Sequence, residues 1–284
     1  KVEDGCVNFC TYCIIPYARG PIRSLPAAEA AAQAAKLAEE GYKELVLTGI
    51  EISSWGRDLE GKPELMDLIE AVCTAAPECR VRLGSLEPRT ITADFCRRGA
   101  AIPNLCPHFH LSMQSGCDSV LKRMNRKYDT ARYYESVRLL REYFDRPGIT
   151  TDLIVGFPGE TEEEFVQTLE FVQKCAFSAM HIFPYSRRSG TPAAAMAGQC
   201  SNAVKEERAH RAGEVARGLR QAWLESWVGQ TLPVLFEEEK DGLWRGHAPN
   251  YTEVFVSGQG LHNVIRDVKI TGLHGEGLLG ELVP

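Results

Sequence analysis

No apolar run in this chain of 284 residues approaches the roughly 18 residues that a membrane span needs, which excludes a helical integral membrane protein. Net positive charge is also lacking. The 32 Lys and Arg are outnumbered by 38 Asp and Glu, a formal charge of −6, so no general attraction to nucleic acid exists and an RNA ligand would have to be held by local basic patches. Internal repeats and low-complexity tracts are absent, which excludes solenoid and fibrous architectures. A disulfide framework is missing as well. Ten cysteines, unevenly spaced in an enzyme-sized chain, point to a reducing compartment, read as the cytoplasm. The first residue is Lys1 and not Met, only five positions before the first clustered cysteine, and the chain is expected to be a fragment of a longer protein.

What is present is a globular composition, 44% hydrophobic and 25% charged, with room for one large α/β barrel of roughly 200–250 residues and a small second domain. The densest chemistry lies at the start. In Gly5-Cys6-Val7-Asn8-Phe9-Cys10-Thr11-Tyr12-Cys13 three cysteines stand at spacing C-x3-C-x2-C with an aromatic before the third. Thiolates gathered in one loop are ligands for a soft metal centre. Iron–sulfur clusters are normally held by four cysteines, so a set of three leaves one iron open, and an open position is where a metal centre does chemistry. The competing reading is a zinc knuckle of Cys6, Cys10, Cys13 and a distant His or Cys, although zinc sites usually come as two separated ligand pairs.

Along the chain, strands and helices alternate. Strands are expected at Lys1–Glu3, Glu44–Thr48, Arg80–Ser85, His108–Met113, Ile149–Val155 and Ala179–Phe183. Helices are expected at Ala27–Glu40, Pro63–Ala76, Thr92–Ala101 with Thr92 as N-cap, Asp118–Met124, Thr130–Phe144, Thr161–Cys175 and Asn202–Val228. This order predicts a parallel sheet whose six strands fall short of the eight of a closed barrel, with chemistry at the C-terminal strand ends. The last stretch, 229–284, has five short β-rich segments (Leu232–Phe236, Leu243–Ala248, Glu253–Ser257, Asn263–Ile270, Gly277–Leu282) and reads as a five-stranded antiparallel barrel.

The cysteine triplet, continued as Ile14-Ile15-Pro16-Tyr17-Ala18-Arg19-Gly20, resembles the radical S-adenosylmethionine (SAM) methylthiotransferase family. Leu47-Thr48-Gly49-Ile50 and Ser85-Leu86-Glu87-Pro88 are most similar to its branch acting on N6-threonylcarbamoyladenosine beside the tRNA anticodon. The resemblance implies an open six-stranded (β/α) partial TIM barrel over residues 1–228, and a TRAM-like RNA-binding β-barrel over 229–284. It implies a [4Fe-4S] cluster on Cys6, Cys10 and Cys13, S-adenosyl-L-methionine as cosubstrate, tRNA as partner, and an electron donor such as flavodoxin or ferredoxin. A second [4Fe-4S] cluster is expected on an N-terminal domain that is missing here.

By the same resemblance, Thr48, Gly49 and Glu51 lie beside the methionine end of the cofactor, although a single glycine is equally a simple turn. Glu87 meets a ribose hydroxyl or the substrate, or is a solvated carboxylate. Gln114 and Ser115 offer hydrogen bonds, and Arg126 its planar fork, to cofactor oxygens. Asp152 is expected to face the barrel lumen and to need a partner. The Gly156 turn follows the adenine, while Tyr12, Phe183 and Tyr185 line its pocket or pack in the core. Arg19, Arg187 and Arg188 are assigned to substrate. In the helix ending at Val228, Lys205, Arg208, His210, Arg211, Arg217 and Arg220 serve phosphates or form a solvated face, and Trp244, Asn250 and Tyr251 contact RNA or pack at edges and in the core. Cys73, Cys79, Cys96, Cys106, Cys117, Cys175 and Cys200 are read as small buried hydrophobes. Three other functions compete: methylthiolation of isopentenylated adenosine, methylthiolation of a ribosomal-protein aspartate, and RNA binding without catalysis around a structural zinc.

Overall fold

The computed structural model describes residues 1–284. Two stretches of two residues open it, Glu3–Asp4 (β1) and Arg23–Ser24 (β2), paired antiparallel across the cysteine loop and helix α1, Ile15–Arg19. Five parallel strands follow: β3 Glu44–Leu47, β4 Arg80–Leu83, β5 His108–His110, β6 Gly148–Val155 and β7 Ala179–Pro184. Continuous ladders join β3 to β4 and β5 to β6 to β7, and the bridges Val81–Leu105 and Leu86–Leu111 connect the two groups into one arc. The first strand is shorter than expected and antiparallel to β2, yet Val2 N donates to Thr48 O and so holds it at the outer edge of β3. The arc is open, as an alternation with too few strands to close requires.

Helices α2 Ala27–Glu39, α3 Leu65–Ala75, α4 Ala93–Ala100, α5 Asp118–Arg123, α6 Thr130–Tyr143 and α7 Glu162–Cys175 alternate with these strands, followed by the short α8 Pro192–Ala195. Their starts are written in side chains: Thr92 Oγ1 accepts from Phe95 N, and Thr161 with Glu164 forms a reciprocal capping box. Along β6, Thr151, Leu153 and Val155 are buried towards the helices, while Asp152 and Ile154 alternate into the lumen. The last helix, α9 Asn202–Glu225, packs on β7, with Ala212 in the main core.

The C-terminal segment forms a closed barrel from β8 Thr231–Lys240, β9 Leu243–His247, β10 Glu253–Val256, β11 Val264–His274 and β12 Gly277–Leu282, in the order β10-β12-β11-β8-β9. The expected all-antiparallel pairing fails at one seam, where β10 and β12 run parallel. Strand parity is the reason: five strands in a ring cannot alternate direction all the way round. Leu224 and Trp227, at the end of α9, join the core of this barrel.

The small barrel docks under the N-terminal ends of the parallel strands, opposite the cysteine loop. Arg82 forks onto Glu44 at 2.8 and 2.9 Å and donates to Pro249 O, and Arg80 reaches His247 O. Tyr251, 48% exposed, is stacked between His108 (4.7 Å) and His247 (5.0 Å) with the Arg82 guanidinium over its ring, at the seam between the two barrels. Trp244 and Asn250 are buried. Of the three residues offered to RNA, two are therefore packed inside and the third is engaged in the domain contact.

Candidate active site

Gly5 has φ +90° and its missing Cβ would lie 2.0 Å from Pro21 O, so only glycine lets the chain turn into the cysteine loop. Cys6 N then donates to Gly20 O and Cys13 N to Cys10 O. The far side of the loop is braced by the end of α5: Thr11 N donates to Met124 O, Thr11 Oγ1 to Arg123 O, and Asn125 Nδ2 to Phe9 O at 2.9 Å. Phe9, Gln114 and Asn125 all adopt positive φ around this point, a concentration of backbone strain that the loop contacts hold in place.

Cys10 is buried, and Cys6 and Cys13 are half-buried. Burial, reinforced by the neighbouring thiols, pushes the Cys6 and Cys13 thiols above their ordinary range. An iron–sulfur cluster takes cysteine thiolates as its protein ligands. The donor set here, three thiols on one loop beside a cation, fits such a group. That cation is Arg126, which reaches Cys10 Sγ (3.2 Å), Tyr12 OH (3.5 Å), Tyr128 OH (2.9 Å) and Ser112 O (3.2 Å), with no carboxylate at ion-pair distance.

A cavity of about 430 Å³ opens beside Cys13, walled by Tyr12, Gln114, Asp152, Ile154, Phe183 and Tyr185, with Arg188 at its edge. A wider groove of about 610 Å³ lies between Glu40–Val46 and Leu235–Glu237, at the other end of β3 from the thiols. Asp152 finds its partner in His110, whose Nε2 is 3.3 Å from Oδ2. Behind it, His110 Nδ1 meets Thr150 Oγ1 at 3.0 Å, and Thr150 Oγ1 meets His108 Nε2 at 3.1 Å. His110 Nε2–H faces the Asp152 carboxylate, and the Thr150 hydroxyl links His110 Nδ1 to His108 Nε2. Burial holds His108 neutral, well below its usual range, and its Nδ1 has no partner. The sequence reading missed this chain, although His108-Phe109-His110 on a strand puts both imidazoles on one face.

Other expected residues are distributed as follows. Glu51 accepts from Asn8 Nδ2 at 2.7 Å and so touches the cysteine loop, and burial raises its carboxyl above the usual range. Glu87 is buried and held by Arg89 Nε at 2.9 and 3.1 Å, so the solvated alternative is excluded. Thr48 and Gly49 are exposed, and the bare Cα of Gly49 is explained by the Glu3 side chain, 2.6 Å from where a Cβ would stand. Ser115 is fully buried against Thr168 and has no face towards the cavity. Gly156, at φ +69°, has Lys205 of α9 2.5 Å from where a Cβ would stand. Tyr185 is 4% exposed and Phe183 51%, a wall and a rim respectively. Arg19, Arg187 and Arg188 are exposed, and Arg188 borders the cavity.

The bases of α9 mostly face the barrel or acids on its surface. Arg208 is buried on Glu160 (2.8 Å), Arg211 pairs with Glu162 and Glu207, and Arg220 donates to Ser178 O and Glu276 O. His210 lies 3.9 Å from Glu214. Cys200 is half-buried, whereas the other six non-loop cysteines are buried as expected.

The family model of the radical SAM superfamily matches residues 2–172, more than half of the chain. The chain is 38% identical over 263 residues to the threonylcarbamoyladenosine tRNA methylthiotransferase MtaB of Bacillus subtilis, covering 91% of this chain and 58% of that protein. It is also 38% identical over 285 residues to the protein of that name in Chlamydia pneumoniae, covering 100% and 67%. A tRNA-2-methylthio-N(6)-dimethylallyladenosine synthase of Desulfitobacterium hafniense is 40% identical over 237 residues, 84% of this chain and 53% of that one. The chain thus spans between about half and two thirds of the length of these relatives. Among solved structures, coproporphyrinogen III oxidase (HemN) from Escherichia coli superposes with a TM-score of 0.57 at 14% identity, over 87% of this chain and 65% of that one, a likeness of fold. With the thiol loop at the mouth of an open parallel barrel and these relatives along its length, the chain belongs to the radical SAM superfamily, in the branch of the tRNA methylthiotransferases.

Proposed function

We propose that this chain is the radical SAM core of a tRNA methylthiotransferase that acts on C2 of N6-threonylcarbamoyladenosine beside the anticodon. The observation that carries the reading is the loop of Cys6, Cys10 and Cys13, with Arg126 on Cys10 and a cavity of about 430 Å³ at Cys13. The three thiolates would hold the [4Fe-4S] group, which when bound would supply the electron for breaking a carbon–sulfur bond of S-adenosylmethionine. Arg126 balances the negative charge of the thiolates. Tyr12 and Ile154 give the cavity flat apolar walls suited to an adenine, and Gln114 contributes a polar edge. His110, oriented through Thr150, aims Asp152 so that a carboxylate oxygen accepts from a ligand N–H or O–H.

The relatives are longer than this chain, and we infer that sulfur insertion needs a second cluster on a further domain. The chain alone then binds and cleaves the cofactor without completing the product; methylthio product from the isolated 284 residues would refute this division. An electron donor of the flavodoxin or ferredoxin kind and a cytoplasmic site of action go with the reading, as does an RNA-binding role for residues 229–284. The test compares digested tRNA nucleosides by mass spectrometry from cells with and without the gene. Loss of 2-methylthio-N6-threonylcarbamoyladenosine is expected. Because the isopentenyl-type synthases match at similar identity, loss of the isopentenyl analogue in its place would move the substrate and keep the chemistry.

A further inference from the structure

Phe9 and Tyr17 form an edge-to-face pair with centroids 5.5 Å apart, and they are 46% and 61% exposed. Phe9 in particular is costly twice over. Its φ of +48° is sparsely populated by any residue with a Cβ, and its ring is only about half covered, so burial offsets little of that strain. Asn125, itself at φ +59°, clamps the Phe9 carbonyl. The loop needs that backbone to wrap its thiols, but it does not need an aromatic side chain facing outwards.

The surroundings of the pair are cationic in a chain that is acidic overall. Tyr17 and Arg19 share α1. Gly190, which ends the turn carrying Arg187 and Arg188, packs against Ile14 at the start of α1, and Arg188 borders the cavity together with Cys13. On the other flank, exposed Lys127 donates to Asn125 Oδ1. Among these cations only Arg19 has a carboxylate within ion-pair distance, Asp4 at 4.0 Å, while Lys127 shares a small pocket with Glu87 and Arg89.

We infer that the Phe9–Tyr17 pair is a stacking platform for an unpaired base of single-stranded RNA next to the base in the cavity, with Arg19, Arg187, Arg188 and Lys127 holding the flanking phosphates. The inference rests on the tRNA reading above and adds to it a surface and a mode of binding. Exposed rings ringed by cations are what single-stranded nucleic acid requires, since every base has a face to stack and every nucleotide a charge to neutralise. The other exposed apolar side chains at this mouth are Val7 and Phe183, and the cations interleaved with these rings favour a nucleic acid over a protein partner.

The test measures anisotropy of a fluorescein-labelled, unmodified anticodon stem-loop RNA titrated with the 284-residue chain at several salt concentrations. Tyr17→Ala and Phe9→Ala should each weaken binding roughly ten-fold or more with the salt slope unchanged, whereas Tyr17→Phe keeps wild-type affinity. Arg187→Ala with Arg188→Ala should lower the salt slope. Visible iron–sulfur absorbance after reconstitution reports whether a Phe9 variant has kept its loop, and Tyr17, outside the ligand run, gives the second arm. Wild-type affinity in both ring variants, or equal affinity for a fully duplex RNA, overturns the platform and leaves the tRNA reading standing. A wild-type chain that binds no stem-loop overturns both.

Discussion

Replacing Arg126 by Met separates a charge-balancing role from a structural one. The guanidinium donates to Cys10 Sγ at 3.2 Å and has no carboxylate partner, so its charge is matched only when the thiols are ionised on a metal centre. A partner held against a metal ligand in this way is worth about 10–100-fold in metal affinity, or about 1.4–2.7 kcal/mol. Without the metal centre the balance differs. The carbonyl of Ser112 that Arg126 contacts also accepts from Tyr128 OH, which stays in place, and the variant sheds an unmatched cation. The apoprotein should therefore unfold within about 1 kcal/mol of wild type. The assay is chelator competition followed by visible absorbance under anaerobic conditions, with thermal unfolding of both apoproteins. Unchanged iron retention would refute the argument, and so would an apoprotein destabilised as much as the loaded form.

Arg208→Met strands Glu160 in the interior and should cost about 3–5 kcal/mol near neutral pH. Burial already raises the Glu160 carboxyl above its ordinary 4.5 despite Arg208, so the folded state binds that proton more tightly and stability falls as pH rises through the window above 4.5. In the variant this window extends upwards, and its deficit in urea unfolding should shrink as pH falls; a deficit independent of pH would contradict the assignment. Gly5→Ala meets Pro21 O in a left-handed conformation and should abolish cluster loading, which visible absorbance after reconstitution checks. Tyr251→Ala removes the stack between His108, His247 and Arg82, and calorimetry should then separate the small barrel from the large one as two transitions where the wild type shows one.

Much of this protein is legible locally. The C-x3-C-x2-C loop declares its chemistry because ligands on one short loop need no knowledge of the rest of the fold. Capped helices alternating with apolar strands declare the parallel arc in the same way, since caps such as Thr92 and Thr161 act within a single turn. The acidic total, by contrast, conceals the cationic rim at Arg19, Arg187 and Arg188, because net charge carries no positions.

Which polar side chain faces which neighbour was decided only in three dimensions. Ser115 and Gly156 stand in the patterned tips after β5 and β6, but they turn to Thr168 and Lys205, because a strand end has two sides and only the packed helices fill one of them. Tyr251 has the composition of an RNA contact and is stacked between His108 and His247 at the seam of the two barrels, a placement set by where the second barrel docks. The relay from His108 to Asp152 and the bond from Arg126 to Cys10 join residues 44 and 116 positions apart. Sequence alone determined the candidate donor set of three clustered thiols and the order of elements, both set by near neighbours; tertiary packing determined the partners of each charge, since those contacts form between segments that meet only when the barrel closes around them.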